Sequence, residues 1–151
     1  MTSSTAFADD CLLNQEYFEA EATALARRHA DAEYIREQRL VRWNSKDMGT
    51  VAAVVGGCES FGLEATSERQ MAKRSSRSAI LAMAKRLALL SWPDPYGREA
   101  AAILARKPRA IRQQASGIAF EFAAAEYMDF SVSQSFEAGL EKITISAIHL
   151  Q

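Results

Sequence analysis

The chain of 151 residues has few of the side chains from which metal and nucleophilic sites are built: two cysteines and two histidines. Cys11 and Cys58 form no C-x-x-C pair, which excludes a metal knuckle or dithiol of that kind and predicts reduced, partly buried thiols. His29 and His149 lack metal-ligand spacing, so we expect no metal or cofactor, and His29 is predicted in a core or interface. Phosphate-binding glycine loops and G-x-S-x-G are absent, which favours a protein that is not an enzyme.

Long apolar runs are also missing. The longest nearly uncharged run, MGTVAAVVGGC at 48–58, is far shorter than the ~20 residues that cross a bilayer. The opening MTSSTAFADD carries acids where a secretory signal carries bases. We therefore expect a cytoplasmic protein without membrane association. Its length suits one domain, 1–151, in which 1–11 form a loose N-terminal arm.

The apolar residues that are present mostly follow a helical period. Phe18, Ala22 and Leu25 step by four and three, which predicts one long helix over about 12–43. Residues 48–64 are ambiguous between a strand and a buried helix, and we favour a helix with Gly56-Gly57 as a contact point. Helices are also predicted over about 66–91 and 98–106, and from Pro108 onwards.

Only the C-terminal region changes period. Phe130, Val132 and Phe136 alternate with polar residues, and Ile143 and Ile145 do the same beyond a glycine-containing turn. This alternation predicts a β-hairpin over about 129–151. The predicted fold class is therefore mainly α: a single-domain bundle of about five helices with a short C-terminal β-hairpin.

Charge is distributed unevenly although the formal net charge is only −1. Residues 1–68 contain six bases and twelve acids, residues 69–112 contain eleven bases and two acids, and residues 113–151 contain one base and five acids. A basic middle of this kind meets phosphate, an acidic partner, or the acidic ends of its own chain.

The basic middle supplies the candidate binding residues. The segment KRSSRS at 73–78 joins cations to hydroxyls near a predicted helix start, where backbone N–H groups favour an anion. The alternative is that Ser75 or Ser78 only caps the helix and the cations solubilise it. The predicted nucleic-acid-binding residues are Lys73, Arg74, Arg77, Lys85, Arg86, Arg106, Lys107, Arg109, Arg112 and Gln113.

The segment AAAILARKPRAIRQQ at 100–114 resembles the second and third helices of the helix-turn-helix in LysR-type regulators. The resemblance implies that Pro108 opens a recognition helix. On that helix Arg109, Arg112 and Gln113 would face the DNA groove, where these side chains suit phosphate, guanine and adenine.

These observations lead to three functional hypotheses. The first is a non-enzymatic helical subunit that holds a nucleic-acid backbone within a larger nucleoprotein assembly, such as a CRISPR-type effector or a phage particle. The second is a protein–protein interaction adaptor, or a homo-oligomeric structural subunit, that binds no nucleic acid. The third is a helix-turn-helix DNA-binding regulator.

Overall fold

The structure is a computed structural model that describes residues 16–55, 61–123 and 128–149. The predicted N-terminal arm, both cysteines and the Gly56-Gly57 pair lie outside these residues. The elements, in chain order, are α1 (16–28), β1 (Glu33–Ile35), a single 3₁₀ turn (Arg36–Gln38), β2 (Leu40–Ser45), β3 (Gly49–Val55), β4 (Phe61–Gln70), α2 (Arg77–Ser91), α3 (Tyr96–Leu104), β5 (Ala110–Gln114), β6 (Gly117–Ala123), β7 (Met128–Glu137) and β8 (Leu140–His149).

All eight strands join one antiparallel sheet in the order β1-β2-β3-β4-β8-β7-β6-β5. One half of the sheet is the meander β1–β4, preceded by α1, and the other is the meander β5–β8, preceded by α2 and α3. The two halves meet where their last strands, β4 and β8, pair along ten residues. The order of elements is thus repeated, although the sequence shows no internal repeat. The strands β1 and β5 form the two edges.

The helices cover one face of the sheet, which we call the inner face. Alternate residues of the strands point to it, among them Trp43, Phe120 and Ile145, and all three are buried. Trp92, directly after α2, packs edge-on against Phe130 of β7 with 5.9 Å between ring centroids. Burial of these large side chains is the main stabilising contribution to the sheet–helix packing.

Side chains on the opposite, outer face are small or polar. In β7 and β8 this face carries serine, threonine and lysine, because the residues between the buried positions are Ser131, Ser133, Lys142 and Thr144. These side chains are half-buried or exposed. The alternation of buried apolar and outer polar residues is typical of an antiparallel sheet with one solvated face.

The prediction of a five-helix bundle is wrong, since the structure is mainly an eight-stranded sheet with three α-helices among the described residues. The helix predicted over 12–43 is α-helical only at 16–28 within its described part, and the chain continues into β1, the 3₁₀ turn and β2. Tyr34, Val41 and Trp43 are residue types that favour strands. Pairing of β2 with β3 therefore outweighs the helix-forming alanine and glutamate content.

The helix predicted over 48–64 is also wrong, as is the first part of the one over 66–91. Residues in these ranges form β3 and β4, which pair with each other. Leu63, Ala65 and Ser67 are buried while Glu64 is exposed, so the sequence alternates with period two. Helix begins only at Arg77.

The helix predicted from Pro108 is replaced by the hairpin of β5 and β6. Arg112 and Gln113 therefore lie on a strand. A recognition helix is absent at these positions, and the helix-turn-helix resemblance is not realised in the fold.

Three predicted elements are confirmed with shifted bounds. The hairpin over 129–151 is found as β7 and β8, which turn at Ala138-Gly139. The helical part of 66–91 is α2, and the helix predicted over 98–106 is α3. No helix among the described residues is long and apolar enough to cross a membrane.

Candidate nucleic-acid interface

Two arginines at the entrance to α2 reach the edge strand β5. The Arg74 guanidinium donates a hydrogen bond to the backbone carbonyl of Ala115, 3.1 Å away in the β5–β6 turn. The Arg77 guanidinium donates to Oε1 of Gln113 on β5, also at 3.1 Å. Both acceptors are uncharged, so these contacts position the arginines without neutralising them.

Further cations follow the same edge. Arg109 and Arg112 are 60% and 68% exposed, and their guanidinium groups lie 3.8 and 3.3 Å from the Glu121 carboxylate. One carboxylate thus serves two arginines, and an exposed pair of this kind contributes little stability. Arg106 and Lys107 are exposed in the segment that leads into β5, and Lys73 is exposed next to Arg74.

We define the β5-edge surface as the cations and amide that flank this strand: Lys73, Arg74, Arg77, Arg106, Lys107, Arg109, Arg112 and Gln113. No acidic residue occurs in the stretches 71–86 and 100–120 that supply them. Strand β5 is five residues long, about 17 Å at 3.3–3.4 Å per residue. The surface is therefore an edge of about that length with seven cations, two of which, Arg109 and Arg112, are paired with Glu121.

Two predicted site residues lie elsewhere. Lys85 is eight residues beyond Arg77, about 12 Å further along α2. Arg86 forms an ion pair at 3.0 Å with Asp47 in the turn between β2 and β3, which belongs to the other half of the sheet. The structure thus places five of the ten predicted residues at β5 and its hairpin: Arg74, Arg77, Arg109, Arg112 and Gln113. Lys73, Arg106 and Lys107 are exposed neighbours of these residues in the chain, and Lys85 and Arg86 lie away from β5.

The serines of the predicted phosphate-binding segment have structural partners. Ser76, rather than Ser75 or Ser78, caps α2 by accepting a hydrogen bond from the Ala79 N–H at 3.2 Å. Ser75 donates to Glu141 from its backbone N–H at 2.9 Å and from its hydroxyl at 2.8 Å. The observed hydrogen bonds of these serines therefore match the alternative of a helix cap better than they match a phosphate-binding segment.

Glu141 is a buried carboxylate on β8 that no sequence pattern predicted. Its side chain is fully buried, and it also accepts hydrogen bonds from Arg69 at 3.3 Å and Gln134 at 3.1 Å. Burial alone would raise the pKa of the Glu141 carboxyl, but the hydrogen bonds from Ser75, Gln134 and Arg69 lower it below its ordinary value. The network ties the entrance of α2 to β4, β7 and β8, and so fixes Arg74 and Arg77 beside β5.

His29 follows α1 and stacks on Trp43 of β2, with 4.1 Å between ring centroids and 6° between planes. Desolvation lowers the pKa of His29, against the opposing effect of nearby Asp31. His29 is thus half-buried against Trp43, and its Nε2 atom is buried without a hydrogen-bond partner in the described part of the chain. The described residues contain no group of three or more His, Cys, Asp or Glu side chains that could hold a metal ion.

The outer-face residues of β6, β7 and β8 were not predicted as site residues, above all Lys142 of β8, three strands from β5. The predicted hairpin did contain the pattern that identifies them. Side chains alternate between the two faces of a strand, so Lys142 and Thr144 lie on the face opposite the buried Ile143. Comparison with known proteins found no matching family model, curated protein or solved structure, and so supports no family and no nucleic-acid function by relationship.

Proposed function

We propose that this chain is a non-enzymatic cytoplasmic protein that holds the phosphate backbone of a nucleic acid along the β5-edge surface, as a subunit of a larger nucleoprotein assembly. The observation that carries the proposal is the pair Arg74 and Arg77, which are fixed beside β5 by uncharged oxygens. Cations that are positioned but not neutralised are what phosphate contacts require.

The dimensions of the surface match a short stretch of one strand. An edge of about 17 Å has the length of about five base-pair steps of duplex DNA at 3.4 Å along the axis. The β5-edge surface contains cations and one amide but no aromatic side chain on which a base would stack. Binding is therefore expected to depend on the backbone rather than on base sequence.

The second candidate is an interaction adaptor or self-associating subunit without nucleic acid. It is favoured by Leu89 and Leu90, adjacent residues near the end of α2 that are 45% and 39% exposed. Exposed neighbouring leucines suit a contact with another protein or another copy of this chain.

A salt titration separates the two candidates. A fluorescently labelled oligonucleotide is expected to bind at 50 mM salt and to be released as salt rises. The plot of log affinity against log salt concentration should have a slope of about −2 to about −4.5 if three to five phosphates are contacted. Absence of binding at every salt concentration, together with self-association in light scattering, would support the adaptor instead.

A further inference from the structure

A cleft of about 220 Å³ opens on the outer face of the sheet beside the β5 edge. Strand pairing places eight of its eleven lining residues in two rows that cross four strands. One row is Gln114, Gly117, Ser135 and Lys142, and the other is Arg112, Ala119, Ser133 and Thr144.

The shape of the cleft follows from side-chain length. On the outer face, the two central strands β6 and β7 contribute glycine, alanine and serine, which form a low floor. Ile118 and Gln134 of these strands also line the cleft, but they are buried and alternate with the floor residues. Arg112 on β5 and Lys142 on β8 stand at its sides, three strand spacings apart, or about 14 Å between strand axes. Gly117 is required in the floor, because a Cβ there would collide with the backbone carbonyl of Gln134 on the neighbouring strand.

The chemistry of the lining selects an anion. Two cations, the Gln114 amide and the hydroxyls of serines and a threonine line the cleft, whereas carboxylates and aromatic rings are absent from its described lining. Glu121 lies 3.3 Å from Arg112, and Glu68 lies 3.9 Å from Lys142, both outside the lining. These exposed ion pairs contribute little stability and are readily exchanged for a stronger anionic ligand.

We propose that this cleft binds a single phosphoryl group, carried either by a small phosphate ester or by one nucleotide of a bound strand. Its volume is below the roughly 300 Å³ at which sites for larger organic ligands begin, which favours a compact ligand. A tetrahedral phosphate accepts several hydrogen bonds at once, and the hydroxyls of the lining together with the two flanking cations supply donors. The site goes beyond the β5-edge surface, with which it shares only Arg112.

The test is a titration of the ¹⁵N-labelled protein with inorganic phosphate, followed by NMR at constant ionic strength. Backbone amides of 117–119, 133–135 and 142–144 are expected to shift and to saturate. Lys142→Gln should weaken the affinity roughly tenfold or more, since it removes a charged hydrogen-bond donor. Shifts that do not saturate, or that spread over all exposed cations, would overturn the site.

A variant that fills the cleft supplies the steric test. Ala119→Leu places a bulky side chain on the floor without changing charge, and it is expected to abolish phosphate binding. Ala123→Leu is the matched control, because Ala123 lies on the same strand and the same face but outside the cleft, and it should bind as the wild type does. Unchanged binding by a folded Ala119→Leu variant would refute the proposal.

Two further arms identify the source of the phosphate and separate the site from the proposed function. Displacement of inorganic phosphate by a short oligonucleotide assigns the cleft to the bound strand, and absence of displacement assigns it to a small phosphate ester. Arg74→Gln with Arg77→Gln should weaken oligonucleotide binding and leave phosphate binding unchanged. If the protein binds phosphate but no oligonucleotide, the phosphate site in the cleft is supported and the proposed nucleic-acid function is rejected.

Discussion

Replacing Glu141 by Gln is expected to lower the free energy of unfolding by about 3–5 kcal/mol. The carboxylate is fully buried and accepts hydrogen bonds from Arg69, Ser75 and Gln134. A glutamine side chain at this position has only one acceptor oxygen. Its NH₂ group would face the donors of Arg69, Ser75 or Gln134, so that hydrogen bonds are lost. It also leaves the Arg69 guanidinium, which is mostly buried, without its anionic partner.

The pH dependence of stability checks the same network. Because the pKa of Glu141 is lower in the folded protein, its stabilisation is present above the ordinary value of 4.5 and is lost as pH falls through the folded value. The free energies of unfolding of the wild type and Glu141→Gln, measured by urea denaturation, should therefore differ most near neutral pH. They should converge as the pH falls below 4.5.

The control for Glu141 is Glu64→Gln, which makes the same substitution at an exposed position on the outer face of β4. It should change the stability by less than about 0.5 kcal/mol. A Glu141→Gln variant as stable as this control would show that the network does not hold the entrance of α2.

Reversing the charges of Arg74 and Arg77 to glutamate is expected to weaken oligonucleotide binding on the order of 100-fold at low salt. Two phosphate contacts are lost and two repulsions replace them, and each factor of ten corresponds to about 1.4 kcal/mol. Fluorescence anisotropy with a labelled oligonucleotide measures the change. Circular dichroism should show unchanged secondary structure, since each side chain donates one exposed hydrogen bond to the β5–β6 hairpin.

The same helix provides a matched control for this pair. Lys85→Glu with Arg86→Glu makes an equal change of net charge, but away from the β5 edge, and breaks only the exposed pair between Arg86 and Asp47. Affinity should then fall by no more than a few-fold. Equal losses in the two double variants would indicate a response to net charge and not to the β5-edge surface.

The strands of the sheet show where sequence patterns were ambiguous. Ile118 and Phe122 fit the step of four in a helix, but Phe120 lies between them and is buried as well. A helix must then be apolar on two sides, whereas a strand needs only period two. The hairpin of β7 and β8 was predictable because serines alternate with its apolar residues and exclude the helical alternative.

Long-range pairing limits what the sequence alone predicts of the site. The cations were identifiable from composition, but their grouping depends on which strand lies at the edge of the sheet. Arg86 binds Asp47, which is 39 positions away in the chain. Ser75 donates a hydrogen bond to Glu141, which is 66 positions away. Such contacts carry no local periodicity, so neither the separation of Arg86 nor the buried network follows from the sequence.

The most direct test of the account is to map where an oligonucleotide contacts the protein, by NMR of backbone amides during titration at low salt. We expect the largest shifts in 73–77 and 109–116, beside β5, and no shifts in the β2–β3 turn at 46–48. Shifts centred on β1–β3, or no saturable shifts at all, would contradict the β5-edge surface as a binding site for the nucleic-acid backbone.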